Sequence, residues 1–174
     1  MDAKKKLIVA PAEKYMLWTS PSGGTYRVSN RGTIHRYMNS TGEWKVTGLS
    51  KQSSGYRRFA GRCKSERWTR LVHRVVAELF IPNPEGLPEV DHIDRDRSNN
   101  RVENLRWVSH QQNAQNQLGR GCEKRGSRWR ASIRVGGKNT RLGTFDTEEE
   151  AHAAYLAAKR VYHPFFVGEQ KSVE

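Results

Sequence analysis

An unbroken alternation of apolar and polar side chains runs from residue 128 to residue 135. The two alternating sets are Trp129, Ala131, Ile133 and Val135 on one side, and Arg128, Arg130, Ser132 and Arg134 on the other. Such a two-residue period fits only an extended strand with one buried face. The following Gly136-Gly137 predicts a hairpin turn, and residues 140–145 predict the returning strand. Thr147 and Glu150 then form a capping-box pattern, which predicts a helix that packs on this hairpin.

In the middle of the chain the period changes to that of a helix. Apolar residues recur at three- and four-residue spacing from Leu71 to Phe80, and Pro82 ends the predicted helix. The predicted elements that follow are a strand over 87–93, a polar loop over 94–100, a strand over 105–108 and a helix from His110, capped by Ser109. This ββα unit is too small for a core of its own, so we expect it to pack on the helix at 71–80.

The N-terminal part of the chain contains several short apolar stretches separated by turn residues. Asn30-Arg31-Gly32 interrupts the stretch 26–37 and predicts a tight hairpin, and residues 43–46 and 55–60 predict further strands. We therefore predict an α+β protein built of small modules. Its predicted parts are a basic β-rich module over 1–70, a ββα unit within 71–117, a sheet-and-helix module over 118–167 and a polar tail over 168–174.

The net charge of +13 is spread unevenly over these parts. Residues 1–70 hold 15 basic and 4 acidic residues, net +11, and residues 118–174 hold 11 and 7, net +4. Residues 71–117 hold 5 basic and 7 acidic residues, net −2. A uniformly solvated basic surface would not leave an acidic centre. The pattern indicates that the two basic flanking segments bind a polyanion and that the central segment acts on it.

The composition excludes several classes of protein. No apolar run approaches the ~18 residues that a membrane-spanning helix requires. The apolar run of the basic N-terminus is too short and too poorly bounded for a secretory signal peptide. Two cysteines, Cys63 and Cys122, cannot form a disulfide framework or a four-cysteine zinc site. We therefore expect an intracellular protein with reduced thiols and no structural zinc. An RNA-binding protein is disfavoured because the sequence has no RNP-type or KH signature.

Four polar residues of the central segment form a candidate catalytic site. Asp91 and His92 end a predicted strand, Asn104 precedes the second strand, and Asn113 lies on the following helix. The first strand and the helix of a ββα unit face each other, so Asp91 and Asn113 can offer oxygen ligands to Mg²⁺ or Mn²⁺. His92 can take a proton from an attacking water. Asn104 can either fix the loop or hold the imidazole in the required tautomer.

The same residues also permit a structural interpretation. An Asp-His pair is common in turns, and Asp94, Asp96, Asn99 and Asn100 can simply form a hydrophilic loop. From residue types and spacing alone, a nuclease site and a solvated loop both stay open.

Several short motifs of the central segment are similar to those of a known protein family. They are His73-Arg74, Pro82-Asn83-Pro84, Val90-Asp91-His92-Ile93-Asp94, Asn99-Asn100 and Glu103-Asn104-Leu105-Arg106-Trp107-Val108. Over about residues 71–117 they resemble the HNH endonucleases of phage and group I intron homing enzymes. The resemblance implies a ββα-metal fold in which His92 is the general base, Asn104 is the central asparagine, and Asp91 and Asn113 hold one divalent ion. Many members have histidine where this chain has Asn113, which bears on metal preference.

The flanking segments carry two further resemblances. Trp18, followed by Tyr26-Arg27-Val28-Ser29-Asn30-Arg31-Gly32, is similar to a short motif found ahead of HNH cores in homing nucleases. A second set of motifs is Trp129-Arg130-Ala131-Ser132-Ile133-Arg134, Leu142-Gly143-Thr144-Phe145, Thr147-Glu148-Glu149-Glu150-Ala151, Ala154-Tyr155 and Ala158. With these, residues 121–166 resemble the APETALA2/ethylene-response-factor DNA-binding domain. That resemblance implies a three-stranded antiparallel sheet that enters the major groove, backed by one helix.

We therefore predict a site-specific, metal-dependent DNA endonuclease of the HNH homing type that hydrolyses a phosphodiester in double-stranded DNA. The alternative is a non-catalytic DNA-binding regulator with a degenerate HNH core. We expect a monomer that binds one Mg²⁺ or Mn²⁺ and nicks one strand, without a small-molecule cofactor or a membrane partner. Its expected location is a phage-infected or intron-carrying host cell. The predicted DNA-contacting residues are Arg27, Arg31, Arg57, Arg58, Arg106, Arg128, Arg130, Ser132, Arg134, Lys138 and Arg141.

Overall fold

The computed structural model describes residues 12–63 and 66–168, which form two compact units. The N-terminal unit comprises the described residues up to Pro82 together with Ser98–Glu103. The C-terminal unit comprises Asn83–Arg97 and the described residues from Asn104 onward. No helix in this described part of the chain is long and apolar enough to span a bilayer.

A four-stranded antiparallel sheet begins the N-terminal unit. Its strands, in both chain and spatial order, are β1 (Tyr15–Thr19), β2 (Thr25–Ser29), β3 (Ile34–Met38) and β4 (Glu43–Val46). The predicted hairpin joins β2 to β3, and within it the Ser29 amide donates to the Thr33 carbonyl at 2.9 Å. Gly32 takes a φ of +83° in this turn, a conformation that glycine reaches without steric cost.

A second sheet and a helix complete the N-terminal unit. The strands are β5 (Ser50–Lys51), β6 (Arg57–Cys63) and β7 (Glu66–Leu71), and α1 (Val72–Phe80) follows β7 without a loop. The predicted helix is confirmed, since its residues Val72, Val75 and Val76 are fully buried. It packs on β2, β6 and β7. A cluster of aromatic rings in mostly edge-to-face contact links the two sheets; it consists of Trp18, Tyr26, Phe59 and Trp68.

The C-terminal unit begins with the predicted strand–loop–strand–helix. Its elements are β8 (Glu89–His92), β9 (Leu105–Val108) and α2 (His110–Asn116). β8 and β9 are antiparallel, and their register sets Asp91 directly opposite Arg106. Ser109 caps α2 as predicted, because its hydroxyl accepts from the Gln112 amide at 3.2 Å while the Gln112 side chain accepts from the Ser109 amide at 2.7 Å. The predicted support of this ββα unit by α1 stays a prediction.

Part of the loop between β8 and β9 belongs to the N-terminal unit. Within that unit, the Val102 amide donates to the Asn30 carbonyl at 2.8 Å. The same turn approaches Asn100 so closely that a Cβ placed on Gly32 would lie 2.8 Å from the Asn100 Cβ. Gly32 is therefore required for the contact with this loop as well as for the turn.

A three-stranded antiparallel sheet and a long helix complete the C-terminal unit. The elements are β10 (Cys122–Arg125), β11 (Arg128–Val135), β12 (Lys138–Phe145) and α3 (Glu148–Tyr162), with the strands in the order β10-β11-β12. The predicted alternation is confirmed, because Ala131 and Ile133 are buried beneath α3 whereas Arg128 and Arg134 are exposed. The predicted capping box of Thr147 and Glu150 is also present.

The predicted mixture of helices with several small sheets is thus confirmed, although β1, β5 and β7 were not predicted. The predicted module boundaries after residues 70, 117 and 167 stay predictions. Most of the predicted polar tail, from residue 169 onward, lies outside the described residues, as does the N-terminal segment 1–11.

Candidate active site

The Asp91 side chain lies at the junction of β8 and α2. Its carboxylate is buried, with Asp91 7% exposed. Glu89 and Asp91 are two residues apart on the strand and therefore point to the same face, toward α2. On that face the Asn116 amide nitrogen lies 3.1 Å from Asp91 Oδ2 and 3.3 Å from Oδ1. Asn116 is 1% exposed and also donates to the His92 carbonyl at 3.1 Å.

Arg106 holds the same carboxylate from β9. Its Nε and Nη2 donate to Asp91 Oδ2 at 2.9 and 2.7 Å, as their opposed positions in the β8–β9 register allow. Nη2 also donates to the Phe165 carbonyl at 2.7 Å, and the guanidinium lies 4.9 Å from the centre of the Phe165 ring. The side chain predicted to contact DNA is thus engaged with Asp91, and its contact with DNA stays a prediction.

The two oxygens of Asp91 are consequently unequal. Oδ2 accepts two hydrogen bonds from Arg106 and one from Asn116, which is a full complement for a carboxylate oxygen. Among the described residues Oδ1 receives a single long contact of 3.3 Å, from Asn116. Oδ1 is therefore the oxygen of Asp91 with capacity for another ligand.

Asn113 lies on α2 and contacts Glu89. Its amide nitrogen donates to Glu89 Oε2 at 2.5 Å, and His110 Nδ1 lies 2.5 Å from Glu89 Oε1. This arrangement orients the Asn113 amide so that its nitrogen is used and its oxygen is the remaining donor for a cation. The residue of α2 that contacts Asp91 is Asn116, one helical turn after Asn113, and its contact was not predicted from the sequence.

Asn104 fixes the loop that follows β8. Its side-chain nitrogen donates to Asp94 Oδ1 at 2.7 Å, and its side-chain oxygen accepts from the Asp94 amide at 3.0 Å. Its carbonyl accepts from the Ile93 amide at 2.8 Å. Asn104 therefore makes contacts that fix the loop, which is the first of the two roles predicted for it.

His92 is the last residue of β8 and is 4% exposed. The chain turns sharply after it, because the Arg95 amide donates to the His92 carbonyl at 2.9 Å and Arg95 takes a φ of +67°. A non-glycine residue in this left-handed region carries strain, which the surrounding contacts must offset. Those contacts come from the Arg95 side chain, which donates to the Gly168 carbonyl at 2.6 Å.

The oxygens at this face of β8 belong to the Asp91 and Glu89 carboxylates and to neutral amides. Residues 12–63 and 66–168 contain no group of three or more His, Cys, Asp or Glu side chains arranged to hold a metal. The capacity of Asp91 Oδ1 for another ligand fits a hard divalent ion such as Mg²⁺ or Mn²⁺, with water completing the shell.

The polar face of the C-terminal sheet carries the predicted arginines. Ser132 is paired with Arg141 across β11 and β12, which places them on the same face as Arg130 and Arg134. Arg130 is held by Glu123, its partner on β10, and these hydrogen bonds keep the pKa of the Glu123 carboxyl below its usual value. Glu123 was not predicted. Because this pair is exposed, a phosphate can replace the carboxylate at little cost.

In the N-terminal unit Arg27 lies between two aromatic rings. Its guanidinium carbon is 5.0 Å from the centre of the Tyr15 ring and 5.0 Å from that of Trp44. Stacking on both sides fixes the side chain on one face of the sheet. Arg58 is held more loosely, by a 3.2 Å hydrogen bond from Nε to the Ser50 hydroxyl.

The helix α3 carries a buried lysine near its C-terminal end. Lys159 is 1% exposed, and its ammonium donates to the Gln117 carbonyl and lies 4.6 Å from the centre of the Phe166 ring. Burial, with a smaller contribution from the positive charge of Arg95, lowers its pKa to about 8. The cation–π contact offsets part of this desolvation.

The central segment of this chain is similar to known proteins. Residues 70–115 match the family model described as HNH endonuclease. The DNA endonuclease I-HmuI of Bacillus phage SP01 is 36% identical over 108 residues, which cover 61% of this chain and 60% of that protein. Over this segment the chain is thus similar to HNH endonucleases, and it spans about three fifths of the length of I-HmuI.

Two further relatives come from Acanthamoeba polyphaga mimivirus, and both are described as uncharacterized HNH endonucleases. They are 45% identical over 42 residues and 32% identical over 92 residues, covering 24% and 52% of this chain but 13% and 22% of their own length. A solved structure of the HNH homing endonuclease I-HmuI, described for DNA binding and cleavage, aligns with a TM-score of 0.48 at 24% identity. That alignment covers 91% of this chain and 99% of the other.

Proposed function

We propose that this protein is a site-specific DNA endonuclease of the HNH homing type, which hydrolyses one phosphodiester of double-stranded DNA. The observation that carries the proposal is the buried Asp91 carboxylate at the end of β8, next to His92 and facing α2. The match of residues 70–115 to the HNH family supports the same activity. The relationship to a phage enzyme supports action inside a phage-infected or intron-carrying host cell.

Asp91 and Asn113 would hold one Mg²⁺ or Mn²⁺. Asp91 would bind through Oδ1, because Oδ2 is saturated by Arg106 and Asn116. A bound divalent ion supplies stabilisation of the negative charge that grows on the leaving 3′ oxygen and on the non-bridging oxygens. Asn104 keeps the loop after β8 in place through Asp94.

His92 is the general base of the proposed reaction. A neutral imidazole accepts a proton from the water that attacks phosphorus. Neighbouring residues on a strand point to opposite faces, so Asp91 and His92 cannot both act over one face of β8. The scissile phosphate must therefore lie off the end of β8, where both side chains can approach it.

The duplex would be held by the basic segments on both sides of the nuclease core. In the C-terminal unit the proposed contacts come from the polar face of the sheet, which would enter the major groove as in the APETALA2/ethylene-response-factor domain. The residues are Arg128, Arg130, Ser132, Arg134, Lys138 and Arg141. In the N-terminal unit they are Arg27, Arg31, Arg57 and Arg58.

A cleavage assay on duplexes with both strands labelled tests this function. With a library of duplexes and Mg²⁺, we expect nicks at one preferred sequence on one strand, and no product in excess EDTA. Sedimentation of the protein–DNA complex should show one protein per duplex. Tight binding without any cleavage under Mg²⁺ or Mn²⁺ would instead identify a DNA-binding regulator with a degenerate core.

A further inference from the structure

The residues that follow α3 make two direct connections to the candidate active site. This segment, Phe165–Gly168, is called the post-helix segment. The Phe165 carbonyl accepts from the same Arg106 Nη2 that donates to Asp91, at 2.7 Å in both cases. The Gly168 carbonyl accepts from Arg95 Nη2 at 2.6 Å, and Arg95 Nη1 lies 3.5 Å from the side-chain oxygen of Asn116.

Each arginine therefore joins the post-helix segment to a group that orients Asp91. Arg106 binds the carboxylate itself, and its planar guanidinium fixes the direction of each donor. Arg95 reaches Asn116, the amide that donates to both Asp91 oxygens. Main-chain carbonyls cannot move independently of the backbone, so the guanidinium positions depend on where the segment lies.

The post-helix segment is itself fixed by the core of the C-terminal unit. Phe166 is 9% exposed and belongs to the cluster that contains Ile133, Tyr155 and Leu156. Ile133 lies on β11, the strand whose opposite face carries the arginines proposed to meet DNA. A continuous series of contacts therefore leads from β11 through Phe166 to the Asp91 carboxylate.

We propose that Arg106 and Arg95 are positioning residues, which make the orientation of the Asp91 carboxylate depend on the docked post-helix segment. The proposal rests on the proposed nuclease function for its effect on rate, but not for the mechanical connection. It assigns Arg106 a role different from the DNA contact predicted from the sequence. A DNA contact would act on affinity, whereas a positioning residue acts on the rate of cleavage.

Hydrogen exchange of the full chain, measured without DNA or metal, tests the connection. Arg106→Gln and Arg95→Gln should each raise exchange in two separate peptides, one covering residues 89–95 and one covering residues 163–168. The peptide covering β11 should be unchanged. Arg160→Gln, which removes an exposed arginine of α3, is the matched control and should change neither peptide.

Nicking at saturating DNA provides the second measurement. Arg106→Gln should lower the rate about 10- to 100-fold, the usual cost of losing a partner that orients a metal ligand, and leave the half-saturating DNA concentration unchanged. Arg106→Lys, which keeps the charge but not the planar pair of donors, should recover only part of the rate. Arg160→Gln should nick as the wild type does.

Two results would overturn the proposal. One is increased exchange confined to a single peptide in both variants, which would separate the segment from the site. The other is a raised half-saturating DNA concentration at unchanged rate in Arg106→Gln, which would make Arg106 a DNA contact. Failure of the nuclease function is read separately, from a wild-type chain that nicks no duplex, because the exchange measurement needs no activity.

Discussion

The Asn116 amide nitrogen lies within 3.3 Å of both carboxylate oxygens of Asp91, although 25 residues separate the two along the chain. The same nitrogen is 3.1 and 3.2 Å from the carbonyls of His92 and Ile93. The buried side-chain amide of Asn116 thus binds the end of β8 to α2. The helix contributes to the candidate site first by holding the strand that carries the carboxylate.

Replacing this amide should therefore reduce stability. We expect Asn116→Ala to lower the free energy of unfolding by about 1–3 kcal/mol, because it leaves buried acceptors without their donor. Denaturant unfolding measures the loss. Gln111→Ala, on an exposed position of the same helix, is the control and should change stability little. Equal stability of the two variants would contradict a structural role for Asn116.

Asn113→Ala should act on metal dependence instead. Loss of an amide oxygen ligand should raise the Mg²⁺ concentration for half-maximal nicking, and Asp91→Asn should raise it further, because a carboxylate binds a hard cation more strongly than an amide. Titration of Mg²⁺ in the nicking assay measures both effects. Full wild-type activity in excess EDTA would show that the reaction needs no divalent ion.

His92→Ala should nearly abolish cleavage while DNA affinity is retained. Removing a general base typically costs ~10²–10⁴-fold in rate. Single-turnover nicking and DNA binding in EDTA separate the two quantities. His152→Ala, in which the lost imidazole instead contacts the Arg120 carbonyl on the exposed side of α3, serves as the control. Cleavage at the wild-type rate would remove His92 from the mechanism.

The arginines of the C-terminal sheet should determine affinity or sequence preference. If Arg130, Arg134 and Arg141 contact base edges, each substitution by Ala should cost ~1–3 kcal/mol and relax preference at one position, with guanine favoured there. If they contact phosphates only, affinity should fall evenly across sequences and the salt dependence should weaken by about one counterion per residue. Unchanged binding by the triple variant at moderate salt would exclude this face from the interface.

Lys159 should make stability depend on pH in alkaline solution. The pKa of Lys159 is about 8 in the folded chain, against an ordinary value of 10.5. Between these values the unfolded chain retains a proton that the folded chain has lost, so folding becomes more favourable as the pH rises. Relative to Lys159→Met, the wild type should gain up to about 3 kcal/mol across this range. A constant difference between the two proteins from pH 7 to pH 10 would contradict the lowered pKa, with exposed Lys138→Met as the control.

Helices and strands that carry a clear local sequence signal were predicted correctly. Residues 128–135 alternate strictly, Ser109 and Thr147 begin helices with capping boxes, and α1 shows a clear helical period. The strand β7 was not predicted, because it continues directly into α1 after Leu71. No glycine, proline or other turn residue separates this strand from the helix. A strand without a boundary signal of its own is missed, and here only its last residue, Leu71, was included in the predicted helix.

The contacts within the candidate site were less accessible to sequence reasoning. Asn113 and Asn116 are three residues apart on one helix and share a face, so the pattern alone could not distinguish which amide meets Asp91. Arg106 and Phe165 are 59 residues apart, and their contact is made through a main-chain carbonyl that no side-chain pattern reveals. The contacts that hold the candidate catalytic side chains in place are therefore not predictable from the sequence, and their catalytic roles stay predictions.

The assignment of Ser98–Glu103 to the N-terminal unit makes the backbone pass between the two units three times. Neither unit is therefore encoded by an uninterrupted stretch of gene. A fragment ending at Pro82 would lack the Val102 amide, which donates to the Asn30 carbonyl. A fragment starting at Asn83 would contain the loop with Val102 but not the β2–β3 turn, with Asn30, that this loop contacts. A single cut placed anywhere from the Pro82–Asn83 bond to the Glu103–Asn104 bond would therefore separate residues that belong to the same unit.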